Sequence, residues 1–212
     1  MRANLSVLIG GLLGGLLLTA CEHKHRPELP LDALRVVLAS EAEINKLGPA
    51  ATDLVRRPWV GPIIQVLAEE TPDNITHMRR NRIAGSGKTP EALFERGLAN
   101  LRKAAPQAIQ ERTVQMAKAQ VQITRFADLH TASRLLLPEL WSQLAATTGG
   151  QLYAAAPARD IVVWTTSIAE NDQRALRGQA RMAFQARSEP ISPAILRWTG
   201  GGWALEDPNP IQ

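Results

Sequence analysis

Residues 151–166 read QLYAAAPARDIVVWTT. Two short runs of small and apolar residues flank Pro157-Ala158-Arg159-Asp160, which carries turn chemistry. Runs of this length, bounded by Pro and Asp and rich in β-branched or aromatic residues, read as strands. The pattern predicts a hairpin with strands at Gln151–Ala156 and Ile161–Thr166. A hairpin forces antiparallel pairing, and so this stretch decides the fold class.

On the C-terminal side, Ile168, Leu176, Ala180, Ala183 and Phe184 predict a helix from Ser167 to about Arg187. Ile195–Trp198 and Trp203–Glu206 then flank Gly200-Gly201-Gly202 as a closing hairpin. On the N-terminal side, Thr131 to Ala146 is a leucine-rich helical stretch ended by Gly149-Gly150. Pro138 inside it should kink it or restart it as a first-turn residue. Ala119, Val121 and Ile123 alternate with Gln120, Gln122 and Thr124, as in a strand; residues 107–117 fit helix or strand.

Thr89 as N-cap and Pro90 at the first helical position open the clearest helix, with Leu93, Phe94, Leu98 and Leu101 on one face. Gly97 falls on that face, which implies a close neighbour. Ile63 to Leu67 and Ile75 to Arg80 read as strands around the turn Thr71-Pro72-Asp73-Asn74. A first helix is expected over Leu31 to Lys46, stopped by Gly48-Pro49, with a helical turn over 50–56. Strand pairs separated by helices, without strict βαβ units, give an α+β class with a mainly antiparallel mixed sheet and flanking helices.

The first residues read MRANLSVLIGGLLGGLLLTAC. Arg2 gives a positive start, Leu5 to Leu18 an apolar run, and Thr19-Ala20 the small residues before Cys21. That order is the grammar of a secretory signal. The run is shorter than the roughly 20 residues of a membrane span. Leu18-Thr19-Ala20-Cys21 resembles the lipobox of bacterial lipoproteins. The resemblance implies cleavage before Cys21 and a lipid thioether on it. The expected organisation is a lipoprotein signal peptide over 1–20, a lipidated tether over 21–31 and one α+β domain over 32–212. An aspartate after the lipidated cysteine would favour inner-membrane retention. Glu22 stands there instead, so the periplasmic face of the outer membrane is the expected location.

The chain has 212 residues, and without the leader it still holds enough for one sizeable core. Its 24 Lys and Arg against 20 Asp and Glu give +4, mildly basic with signs interspersed. A solvated surface is the expectation from this balance. Cys21 is the only cysteine, which excludes an intrachain disulfide and a cysteine-built zinc cluster. His23 and His25 belong to the tether, and His77 and His130 are isolated in sequence. No metal, cofactor or prosthetic group is expected.

Three motifs carry candidate chemistry. Ala84 to Thr89 suggests a phosphate loop, but the required first glycine is Arg82 and Pro90 removes an N–H. No nucleotide is expected there, and Lys88 reads as a turn residue. Arg79, Arg80 and Arg82 form a basic cluster with no aromatic platform beside it, so no nucleic acid is expected. Asp128, His130 and Ser133 are the only Ser/His/Asp group close in sequence. No Gly-x-Ser-x-Gly elbow surrounds Ser133, which is expected to cap a helix start instead. The five tryptophans read mainly as core and hairpin packing, with an exposed binding patch at Trp198 and Trp203 of the terminal hairpin as the alternative.

Four blocks follow in order: Ala99-Asn100-Leu101-Arg102; Phe126-Ala127-Asp128 with Ala132-Ser133-Arg134-Leu135-Leu136; Gly150-Gln151-Leu152 through Pro157-Ala158-Arg159-Asp160; and Pro190 to Trp203. This order resembles the YtpQ-like family of bacterial proteins, a domain-of-unknown-function family, over about Pro62 to Glu206. Thr131 stands where that pattern has an acidic residue. The resemblance implies a fold and assigns no chemistry. The functional expectation is a membrane-tethered cell-envelope lipoprotein acting as a non-enzymatic binding or structural module. It would meet the membrane through lipid on Cys21 and take an envelope protein or polymer as partner. The alternative is a cell-envelope hydrolase with an unidentified active site.

Overall fold

A computed structural model describes residues 28–71, 74–84, 86–105, 111–116, 119–126 and 128–206, with backbone only for 111–116. Cys21 and the leader lie outside the described residues, as do parts of the 71–74 turn and of 107–117. The strands are β1 (Leu34–Ser40), β2 (Arg56–Val60), β3 (Ile63–Thr71), β4 (Asn74–His77), β5 (Glu111–Met116), β6 (Ala119–Thr124), β7 (Tyr153–Ala158), β8 (Ile161–Thr165), β9 (Leu196–Trp198) and β10 (Trp203–Leu205). The helices are α1 (Glu41–Asn45), α2 (Arg80–Ile83), α3 (Pro90–Ala104), α4 (Pro138–Ala146) and α5 (Glu170–Ala186). Single 3-10 segments cover Leu31–Ala33, Gly48–Asp53 and Ala132–Leu136.

The class is α+β, and every described strand pair is antiparallel. The strands divide between two sheets. In the first, β1 pairs β3 on one side, and β2 and β4 share the other. The second runs β10-β9-β7-β8-β6-β5. The hairpin read from residues 151–166 lies at the middle of the second sheet as β7 and β8. Pro157 falls at a register irregularity between Ala155 and Ala158, where a missing N–H is tolerated.

Both sheets carry buried residues on both faces, and the period of two sorts them. Leu34, Val36 and Leu38 of β1, with Ile63 and Leu67 of β3, face the second sheet's Ala154, Ala156, Val162 and Trp164. Val37, Ile64, Val66 and Ala68 face the other way, against Ile44 of α1 and Ala51. On the second sheet, Ala155, Ile161 and Val163 point instead to Leu176 and Ala180 of α5. The central layer also takes Trp141, Trp198 and Trp203, with ring centroids 5.2–5.4 Å apart in edge-to-face contacts. Each of Trp141, Trp164 and Trp203 donates its indole N–H to a buried acceptor: Arg134 O, Thr124 Oγ1 and Leu135 O.

Two sequence expectations are corrected. The first helix over 31–46 is mostly strand: only Glu41–Asn45 is α-helical, capped by Ser40 Oγ accepting from Glu43 N. Val36, Val37 and Leu38 are consecutive, and only a strand buried on both faces hides all three. Ile168 is not part of the α5 core. It precedes the helix and is 63 % exposed. Pro138 does restart the chain, as the first residue of α4 after the 3-10 segment.

α3 lies along β1, and Gly97 explains how close it comes. A Cβ there would meet Val36 Cγ2 at 3.0 Å and the Arg35 carbonyl carbon at 3.1 Å. Asn100 Nδ2, one turn on, donates to Leu31 O and Leu34 O at 2.7 and 3.0 Å. The start of the β1 edge not paired with β3 is thereby covered by a helix, and Asn100 satisfies the Leu34 carbonyl there.

Candidate functional site

The sequence places Asp128, His130 and Ser133 within six residues. The structure gives each a different partner. Asp128 Oδ1 accepts from Arg134 Nη1 at 2.7 Å, and Arg134 Nη2 closes the second arm of a bidentate pair on Oδ2. Asp128 Oδ1 also accepts from His130 N at 2.9 Å. Arg134 is fully buried, stacked 4.0 Å over the Phe126 ring centroid. Burial alone would raise the Asp128 pKa. The Arg134 hydrogen bonds, the His130 N–H and the nearby positive charge outweigh it and hold the carboxyl below its ordinary value.

His130 is also buried, but its ring faces the first sheet. Nε2 lies 2.7 Å from Glu70 Oε1, and Glu70 Oε2 lies 2.8 Å from Arg35 Nε. A carboxylate only accepts, so Nε2 carries the proton of this bond. Nδ1 has no hydrogen-bond partner among the described residues. Ser133 Oγ accepts from Leu38 N at 3.1 Å, on the β1 edge that faces away from β3. The expected helix cap at Ser133 is therefore corrected: no side chain caps the 3-10 segment, and Ser133 instead ties that segment to β1. Thr131 Oγ1 accepts from Phe126 N at 3.0 Å and closes the 126–131 loop. A nucleophile, base and orienting acid in series is not what these bonds build.

Polar groups converge instead in a cleft beside the C-terminal end of β1. It holds about 160 Å³ and is lined on the apolar side by Leu38, Ile44, Pro190 and Ile191. His77, Arg159, Glu189 and Glu43 supply its charge-bearing lining. His77 comes from the end of β4, where it pairs Ala68 across β3. Arg159 comes from the β7–β8 turn, and Glu189 from the segment after α5. Arg159 Nη2 lies 2.9 Å from Glu189 Oε1. Burial, and then the Arg159 charge, lower the His77 pKa below 6.5, so the imidazole is neutral at pH 7. Neither ring nitrogen of His77 has a hydrogen-bond partner among the described residues. A neutral imidazole with one free donor and one free acceptor beside a guanidinium is suited to hold a polar group. Among the described residues no group of three or more His, Cys, Asp or Glu could hold a metal ion.

Nothing local in the sequence joins these residues. His77 stands alone, Arg159 belongs to a turn, and Glu189 carries no motif. Strand pairing across 68 and 77, and a turn packed against residues 188–191, bring them together; no local spacing encodes that.

The remaining candidates lie apart. What precedes Gly87 and Lys88 is the helix α2, not a strand, and Thr89 Oγ1 is committed to Ala92 N at 3.2 Å. Arg79 and Arg82 lie 3.9 Å from Asp53 and Glu69. Trp198 and Trp203 are buried, as core packing expects. No helix among the described residues is long and apolar enough to cross a membrane. No protein-family model, no curated protein and no solved structure matches the chain.

Proposed function

We propose that this chain is a lipid-anchored cell-envelope protein whose folded part is a non-enzymatic binding module. The observation that carries the reading is the dispersal of Asp128, His130 and Ser133 onto Arg134, Glu70 and the Leu38 N–H. Each is committed to a structural bond, while in the cleft the His77 ring keeps uncommitted polar atoms beside the Arg159–Glu189 pair. Leu18-Thr19-Ala20-Cys21 supports the anchor, and Glu22 supports the outer membrane as its destination. The four blocks that resemble the YtpQ-like family supply Asn100 and Ser133 on the β1 edge and Arg159 and Pro190 at the cleft. Membership of a YtpQ-like group is part of the same proposal and rests on the order of those blocks in the sequence. The partner is an envelope protein or polymer, and neither nucleotide nor nucleic acid.

The test is metabolic labelling of the full-length chain in a bacterial host with a tagged fatty acid, followed by fractionation. The wild type takes the label and sediments with membrane, because about 0.8 kcal/mol per buried CH₂ makes two or more acyl chains a firm anchor. Cys21→Ser loses both. An unlabelled wild type, or a Cys21→Ser chain still held by membrane, overturns the anchor.

A further inference from the structure

Arg159 is fixed from several directions. Its N–H donates to Glu189 O at 3.3 Å, its carbonyl accepts from Ala132 N at 3.0 Å, and the adjacent Ala158 bridges Pro190. The Arg159 side chain is 17 % exposed, while the Glu189 side chain that meets it is 50 % exposed. The cation is thus positioned and largely desolvated, and its counter-ion reaches into water. A carboxylate from another molecule matches the same guanidinium fork that Glu189 now occupies. Leu38, Ile44 and Pro190 provide an apolar wall beside that fork, and the uncommitted His77 ring shares the cleft. The other acid at the rim, Glu43, is engaged by Lys46 at 2.6 Å. A volume of 160 Å³ equals about five water molecules. Drug-sized and cofactor sites run to roughly 300–1,000 Å³. The cleft therefore suits a small acid or the end of a longer chain.

We propose that the cleft binds a carboxylate borne on a short apolar body, with Arg159 taking the carboxylate in place of Glu189 and His77 hydrogen-bonding it. This deepens the binding-module reading and rests on it. Glu189 is then an internal occupant that an external acid displaces. Because the arriving carboxylate takes the place of Glu189 on Arg159, the charge beside that guanidinium is unchanged, and the new contact read at His77 is the hydrogen bond to its ring. The charged groups facing His77 in this balance are Arg159, Glu189 and Glu43 around the cleft. Arg35 and Glu70 join them from its own sheet face.

The experiment titrates the full-length chain, in detergent micelles, with pentanoate, N-acetylalanine, pentanamide and pentylamine, read by NMR and calorimetry. The two acids shift the His77 and Ile191 signals saturably. Pentanamide binds at least about tenfold more weakly, the share of one charge-assisted pair. Pentylamine binds no better than pentanamide. Whichever acid binds more tightly separates a free small acid from a chain terminus. Glu189→Gln tightens binding of both acids by removing the competitor, and Arg159→Gln abolishes it. Glu189 is half in water, so its variant stays folded and keeps the test open where Arg159→Gln fails to fold. Amide bound as well as acid, amine preferred, no saturable shift, or Glu189→Gln without effect overturns the carboxylate site. The fatty-acid label on Cys21 is read on the same preparation. A labelled chain that ignores both acids overturns this site and leaves the anchor standing.

Discussion

Ser133 Oγ takes the N–H of Leu38 at 3.1 Å inside the protein, where no water can replace it. A buried donor left without an acceptor costs about 1–3 kcal/mol. Ser133→Ala should therefore lower the melting temperature by several degrees, at about 2–4 °C per kcal/mol for a chain of this size. Any envelope phenotype should persist, and a fluorophosphonate probe should leave Ser133 unlabelled; covalent labelling with unchanged stability would reverse the assignment. Asp128 gives a second test, through pH. Its folded-state pKa lies below 3.8, so its contribution is complete above the unfolded value and is lost as pH falls through the folded one. Wild type should lose this share of stability only below about pH 4. In Asp128→Asn, Arg134 is buried with its charge unpaired. The loss should be about 2 kcal/mol or more at neutral pH, discounted because Asp128 itself reaches water, with a flatter acid limb in denaturation curves.

Two glycines in helices separate propensity from packing. Gly178 lies in α5, and a methyl group added there would have nothing within 4 Å, so Gly178→Ala should stabilise by about 0.5–1 kcal/mol. Gly97 offers the same propensity gain in α3, but its Cβ would press on the backbone of β1 at Arg35 and Val36. Overpacking costs about 1–3 kcal/mol, so Gly97→Ala should be destabilising on balance. Urea midpoints of the two variants should move in opposite directions; a shared direction would mean that α3 does not hold β1 this closely. At this scale the sequence was legible where an element has local punctuation. Thr89-Pro90 opened α3, Pro138 opened α4, and Pro157 to Asp160 turned the central hairpin. It misled at residues 31–46. Gly48-Pro49 there reads as a helix stop, and the strand wins because two layers wait on either side of Val36 and Val37.

For the whole molecule, one core draws on both sheets, from Leu34 and Leu67 through Trp141 to Trp164 and Trp203. Neither sheet can open without exposing it. Tryptophan fluorescence and far-ultraviolet dichroism should therefore give coincident unfolding transitions. Two separated midpoints would show that the sheets hold themselves independently. The apolar runs of 151–166 and 195–206 were enough for antiparallel hairpins with helices between them, and the alternation of 119–124 for a single strand, because turn chemistry and side-chain period act over a few residues. The candidate site was not legible in this way. Asp128, His130 and Ser133 are neighbours in the chain, and the turn over 128–131 with the 3-10 segment after it sends their polar atoms to Arg134, Glu70 and Leu38. His77, Arg159 and Glu189 are far apart in the chain, and strand register and one packed turn make them a cleft. The sequence by itself determined the local elements with strong punctuation and the lipobox-like Leu18-Thr19-Ala20-Cys21, since each depends on adjacent residues. Only the tertiary structure decided that there are two sheets and which polar groups meet, because long-range contacts depend on burying shared apolar faces and no short stretch encodes them.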